Sequence, residues 1–173
     1  MLRFLVAFLF SFTLMPVVTA QTRLTLTDIR REFAESIESS RKTDQLHEKL
    51  SGVARPEPLV VAYRGATEAL KARFAWNPYY KMQHLKKSQT SFNEAIAAAP
   101  ADLEIRFLRF SILHHLPGFL VESKDLEADR KVIVNNITSA PLDAELRRVI
   151  GRFMLESGRC TAQEEAIIQK AII

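Results

Sequence analysis

Four histidines, one cysteine and a few clustered carboxylates are the side chains here whose types could do chemistry. A metal site needs imidazoles, thiolates or carboxylates that converge, and on a helix two histidines converge at a spacing of four. No His-x-x-x-His or His-Glu-x-x-His pair occurs. His114 and His115 are adjacent, so on a helix they point about 100° apart and do not readily grip one ion; His47 and His84 lie on other segments. A single cysteine excludes a zinc–thiolate cluster and an internal disulfide. Cys160 opens the last helical segment, where the dipole could lower its pKa, but the sequence places no general base beside it. There is no glycine-rich phosphate loop, no Gly-x-Ser-x-Gly elbow and no Ser-x-x-Lys. Glu104 and Glu145 are accounted for as helix starts and Glu164-Glu165 by a capping box. The expectation is no metal, no cofactor and no catalytic residue, with a hydrolytic enzyme as the last alternative.

Binding chemistry is better represented. Arg64, Lys71, Arg73, Lys81, Lys86 and Lys87 stand against Glu68 in one stretch, interleaved with Phe74, Trp76, Tyr79 and Tyr80. Cations with aromatics can hold phosphates and stack on bases, but an exported chain would sooner meet lipid headgroups, acidic glycans or acidic peptides than nucleic acid. The competing reading has Trp76 and the tyrosines filling the turn between two helices, with the lysines on a solvated face. Arg106 and Arg109 lie one turn apart on a helix otherwise made of Leu103, Ile105, Phe107, Leu108, Phe110 and Ile112. On so apolar a helix the two guanidinium groups must either pair with carboxylates such as Glu68 or Asp129, or line a groove that accepts a ligand carboxylate.

These residues need elements to position them. At 173 residues, 47% hydrophobic and 25% charged, the chain has the composition of one globular domain rather than of disordered or low-complexity material. The formal charge of only +4 does not demand a nucleic-acid partner. Arg3, the apolar run from Phe4 to Met15 and the small residues Val18-Thr19-Ala20 have the order of a secretory signal peptide, over 1–20. The apolar stretch is short for a membrane span of about 20 residues. A mature, soluble, periplasmic or secreted domain over 21–173 is expected, with Cys160 unpaired.

The rest is helical in period. Ile29, Phe33 and Ile37 follow the hydroxyls of Thr25 and Thr27; Leu46 and Leu50 mark a second helix. Leu59 to Phe74 is a third, and Leu85, Ser88, Phe92, Ala95 and Ile96 share one face of a fourth that stops at Pro100. Leu103 to Leu116, Leu126 to Ile137 and Leu142 to Leu155 follow. Thr161 with Glu164 opens an eighth. The sequon Asn136-Ile137-Thr138 falls on the fraying end of the sixth.

An internal echo organises them. Pro100-Ala101-Asp102-Leu103-Glu104-Ile105-Arg106 recurs as Pro141-Leu142-Asp143-Ala144-Glu145-Leu146-Arg147, a Pro-x-Asp-x-Glu-[Ile/Leu]-Arg helix start in which Asp caps the first amides and Glu faces the positive dipole end. Ser88, Phe92 and Ala95 are matched to Ala128, Val132 and Asn135, and a weaker copy opens at Pro56-Glu57-Pro58. Repeats of one helix–turn–helix each predict stacked units, none of which buries its apolar face alone.

Ser88, Phe92, Ala95 and Pro100 resemble the second helix and closing proline of a tetratricopeptide repeat, with serine for the usual alanine. The first-helix Trp-x-x-Leu-Gly-x-x-Tyr is missing, although Gly65-Ala66 and Gly151 supply small residues for close helix contact. From Leu59 to about Val134, the motifs Gly65-Ala66, Trp76-Asn77-Pro78, Glu104 to Arg109 and Pro117-Gly118-Phe119-Leu120 resemble a group of exported bacterial helical-repeat proteins of no assigned activity. The resemblance implies an all-α fold of antiparallel helix pairs, about three tetratricopeptide-like pairs closed by a terminal helix, and brings no catalytic residues. The expected function is a binding or scaffolding module for a protein or peptide partner, with Arg106, Arg109, Tyr63, Trp76 and Tyr80 as contacts. Binding of an acidic glycan or lipid headgroup by the basic aromatic corner, 64–87, is the alternative.

Overall fold

The computed structural model describes residues 24–173, and the leader expected over 1–20 lies outside them. Among the described residues there are eight α-helices, one 3₁₀ turn and no strands: α1 (Leu26–Ser36), α2 (Ser40–Ser51), α3 (Pro58–Phe74), α4 (Pro78–Ala98), α5 (Leu103–His115), α6 (Ser123–Asn136), α7 (Ala144–Glu156) and α8 (Ala162–Ala171), with the turn at Gly118–Leu120 between α5 and α6. Seven of the eight helix starts have a local cause; at α6 the N-cap residue Glu122 makes no side-chain cap. Thr25, Ser39, Asn77, Asp102, Asp143 and Thr161 cap first-turn amides with side-chain oxygens, and Thr161 with Glu164 completes a capping box. Pro58 and Pro78 occupy first-turn positions that require no amide donor.

Helices adjacent in the chain pack against each other as α1/α2, α3/α4, α5/α6 and α7/α8. The connection of residues 75–77 between α3 and α4 is too short for anything but an antiparallel pair. Four pairs are formed where three and a terminal helix were expected, because α1 and α2 also pair and α8 is the second helix of a pair with α7.

Two apolar clusters share α5. Ile105 and Leu108 join Ile29, Leu46, Leu50, Ala66 and Phe92 in the first; Leu103 and Phe110 join Leu126, Ile133, Ile150, Met154 and Ile168 in the second. Each cluster takes buried residues of its own from α5, so the helix couples the two halves. The pairs do not touch only their neighbours: Arg30 of α1 reaches Glu104 of α5 and Asp143 at the start of α7. One side-chain ion pair, Arg30–Asp143, thus links the first pair to the start of the last.

The echo is structural at its capping aspartates, which accept from Ile105 N at 3.0 Å and Leu146 N at 2.7 Å. Its arginines also act alike, since Arg106 and Arg147 each donate to carbonyls of the loop before their own helix. The helices before the prolines match one residue later than expected. Ala128 and Asn135 are exposed, whereas the offset that aligns Pro100 with Pro141 matches buried Ser88 to buried Asp129 and Phe92 to Ile133. The same offset matches Gly65 to Arg106. A Cβ on Gly65 would lie 2.9 Å from Ser91 Cβ and 3.1 Å from the Ser88 carbonyl, so α3 and α4 meet backbone to side chain. In the next pair an ion pair, Arg106–Asp129, fills that position.

Candidate functional site

The residues expected to bind divide between interior and surface. On α5, Asp129 of α6 is 0% exposed and collects both arginines: Arg106 Nη1 donates to Oδ1 at 2.9 Å, and Arg109 donates through Nε to Oδ2 at 2.6 Å and through Nη2 to Oδ1 at 2.8 Å. Of the two sequence alternatives, the fold thus realises pairing with Asp129. Arg106 is also tied to the Pro100 carbonyl at 2.9 Å. Arg109 keeps one looser partner, Asp125, at 3.7 Å.

Tyr63 is 3% exposed and donates its hydroxyl to Glu104 Oε1 at 2.6 Å. Burial, and then the carboxylate beside it, push its phenol well above the usual tyrosine range. It packs edge-on to Phe33 and does not present a free hydroxyl to a ligand. Glu104 differs from its helix-start reading in the same way. Only 3% exposed, it serves Arg30 and Tyr63, while its counterpart Glu145 is exposed to solvent.

Trp76 and Tyr80 are surface residues. Trp76 is 88% exposed, with Tyr79, Tyr80 and Met82 also exposed beyond it, so the aromatic corner does not fill the α3–α4 turn as the competing reading held. The cause is local: Asn77 accepts from Tyr79 N at 2.8 Å and Pro78 starts α4, which turns the chain so that the rings project. Tyr79 and Tyr80 pack edge to face with centroids 5.7 Å apart.

α4, α5 and the Gly118–Leu120 turn enclose a cleft of about 210 Å³, whose Met82 lies one helical turn beyond Tyr79. Met82 and Leu85 form one wall, Ile112, Leu113 and Leu116 the other, and Leu120 one end. Arg109 also lines it, with Lys86 on the α4 side and Glu122 and Asp125 at the start of α6. Next to Leu120, Phe119 is 86% exposed. Of the expected contacts, Arg109 alone lines this cleft; Trp76 and Tyr80 are exposed outside its lining, and Tyr63 and Arg106 are held elsewhere.

Two histidines that sequence spacing kept apart do converge. Glu68 of α3, nearly buried, lies between His84 of α4 (Nδ1 to Oε2, 2.6 Å) and His47 of α2 (Nε2 to Oε1, 3.3 Å). Positions 47, 68 and 84 carry no short-range motif, so nothing in the chain order signals the contact. No group of three or more His, Cys, Asp or Glu among the described residues is arranged to hold a metal. His114 accepts from Arg159 Nε at 2.9 Å, and burial first, then Arg159 and His115, lower its pKa. Cys160 is half-buried, and burial followed by Glu164 raises its thiol pKa, the reverse of activation.

No family model matches the chain, and no curated protein or solved structure is detectably similar to it. No helix among the described residues is long and apolar enough to cross a membrane.

Proposed function

We propose that the chain is an exported, tetratricopeptide-like helical module that binds a segment of a partner protein, with an apolar side chain of that segment entering the α4–α5 cleft. The observation that carries this reading is a cleft with exposed Met82 in its wall, exposed Tyr79 one helical turn before Met82 on α4, and exposed Phe119 next to Leu120, with Trp76 and Tyr80 exposed on the same stretch of chain. Large aromatic surface left in water beside a concave apolar wall is where partner side chains gain most from burial. A volume of about 210 Å³ takes one or two apolar side chains and is small for a drug-sized ligand. Lys86 on one side and Glu122 and Asp125 on the other suit a segment whose apolar anchor is flanked by charges of both signs, as in an amphipathic peptide. Export rests on Arg3, the apolar run and Val18-Thr19-Ala20, and predicts that the exported chain begins at Gln21.

Selection of displayed peptides tests the binding. The unmodified protein should enrich sequences with one large apolar residue, and their affinity should fall at least about tenfold for a Met82→Lys, Leu116→Lys variant of unchanged helicity. Equal binding to both proteins would remove the cleft from consideration.

A further inference from the structure

α4 also forms a wall of a second hollow, with α2 and α3, about 470 Å³ in volume and lined entirely by polar residues. Its cations are Arg64 on α3 and the exposed Lys86 and Lys87 on α4. Among the described residues neither lysine has an ion-pair partner, and Arg64 is held only loosely, 3.7 Å from exposed Glu94. The other carboxylate, Glu68, is turned inward, with His84 Nδ1 at 2.6 Å on one oxygen and His47 Nε2 at 3.3 Å on the other. Three cations converging from two helices suit a group with several anionic oxygens.

The hydrogen bonds around His47 add a second property. Thr67 donates its one hydroxyl proton to the Arg64 carbonyl at 2.8 Å, so it accepts from His47 Nδ1 at 2.9 Å. In neutral His47 the proton is then on Nδ1, and Nε2 is a bare lone pair facing Glu68 Oε1 at 3.3 Å and Ser51 Oγ at 3.4 Å, at the edge of the hollow. Only a protonated His47 can donate from that position.

We infer that this hollow binds a ligand carrying a sulfate or phosphate group, and that the ligand is taken up together with a proton on His47. The groups facing His47 are Arg64, Glu68 and Lys71 from α3, Lys87 from α4, and Ser51 on its own helix, with His84 on the far oxygen of Glu68; Lys71 is balanced by Asp44 at 3.3 Å. Burial first lowers the His47 pKa; Glu68 opposes this, and Lys71, Arg64 and Lys87 lower it further. An oxyanion among Arg64 and Lys87 cancels their repulsion, so ligand and proton each favour the other, and by linkage to the same extent. This site shares Lys86 with the α4–α5 cleft and none of its other lining residues.

Inorganic sulfate is the probe, because its charge is constant over the range in which histidine titrates. Calorimetric titration at constant ionic strength should show tighter binding at about pH 5.5 than at about pH 7.5, by up to about tenfold per pH unit. His47→Gln should flatten that dependence, and Lys87→Gln, on an exposed side chain, should weaken binding at both pH values. Phosphatidylglycerol vesicles separate the two sources of such a group. Retention that sulfate displaces assigns a lipid headgroup, and sulfate binding without retention assigns a free ligand. Sulfate binding that is equal at both pH values, or indifferent to Lys87→Gln, overturns the proposal, as does vesicle retention that sulfate cannot displace.

Discussion

Arg30 and Glu104, 74 residues apart, form a two-bonded ion pair with Nε to Oε1 at 2.8 Å and Nη2 to Oε2 at 2.7 Å. Tyr63 donates to the same Oε1 at 2.6 Å, and Arg30 Nη1 continues to Asp143 at 3.3 Å. Helices α1, α3 and α5 thereby meet around one buried carboxylate, and Arg30 extends the link to the N-cap residue of α7. Removing that carboxylate strands a guanidinium and a phenol together. Glu104→Ala should therefore destabilise the fold by about 3 kcal/mol or more, and Tyr63→Phe, which loses one hydrogen bond, by about 1–2 kcal/mol. Urea unfolding of the single and double variants reads both. A Glu104→Ala protein with the original midpoint would show that the hub contributes nothing.

Asp129 and its two arginines set a different expectation from a ligand site. Arg109→Ala leaves a fully buried carboxylate with one remaining bond and should destabilise by about 3 kcal/mol. Arg106→Ala removes one bond to Asp129 and the tie to the Pro100 carbonyl, and should lose about 1–2 kcal/mol. A double Ala variant that melts with the unmodified protein would return the arginines to the binding surface.

Helix existence and boundaries were legible because they are local. Capping side chains, prolines and apolar spacing act within a few residues, and α6 differs from the sequence reading only in starting a turn earlier, at Ser123. The small residues at Gly65 and Gly151 were likewise legible as close contacts: a Cβ on Gly151 would overlap the Ile172 side chain. What was not legible depended on distant partners. Glu104 and Glu145 occupy the same motif position, and only the arrival of Arg30 and Tyr63 makes one of them a buried hub. His47, Glu68 and His84 are brought together by three helices with no common spacing. The one-residue slip in matching α4 to α6 arose because Gly65 facing Ser88 and Arg106 facing Asp129 occupy the same place with unrelated chemistry.

That equivalence makes Gly65 a sharp test of how closely α3 and α4 must approach. The contacting atoms are Ser91 Cβ and the Ser88 carbonyl, not a flexible side-chain tip, so Gly65→Ala must push the helices apart. A loss of about 1–3 kcal/mol is expected. Gly118→Ala, where nothing lies within contact distance of an added Cβ, should be nearly neutral by comparison. Similar thermal midpoints for the two variants would mean the α3–α4 interface yields readily.

His47 also predicts how the fold responds to acid. Its folded pKa is lowered, with burial the largest cause, so the folded state favours the neutral ring and the unfolded chain binds the proton more readily. The stability contributed by this group is complete above about pH 6.5 and is lost as pH falls below it. His114 has the same sign. Stability measured across that range should fall on acidification, His47→Gln should reduce the slope, and sulfate should do so in the unmodified protein alone. A slope unchanged by His47→Gln would place the titrating group elsewhere.

Trp76 separates binding from folding most cleanly. At 88% exposure it contributes almost nothing to either apolar cluster, so Trp76→Ala should change the unfolding free energy by no more than about 0.5 kcal/mol. As an exposed aromatic anchor on the proposed binding surface it should nonetheless account for much of the affinity for an apolar-anchored peptide, about tenfold or more in the dissociation constant. Measuring both on the same variant distinguishes three roles. Lost affinity at constant stability assigns Trp76 to recognition, lost stability assigns it to the α3–α4 turn despite its exposure, and no change in either removes the aromatic corner from the binding surface.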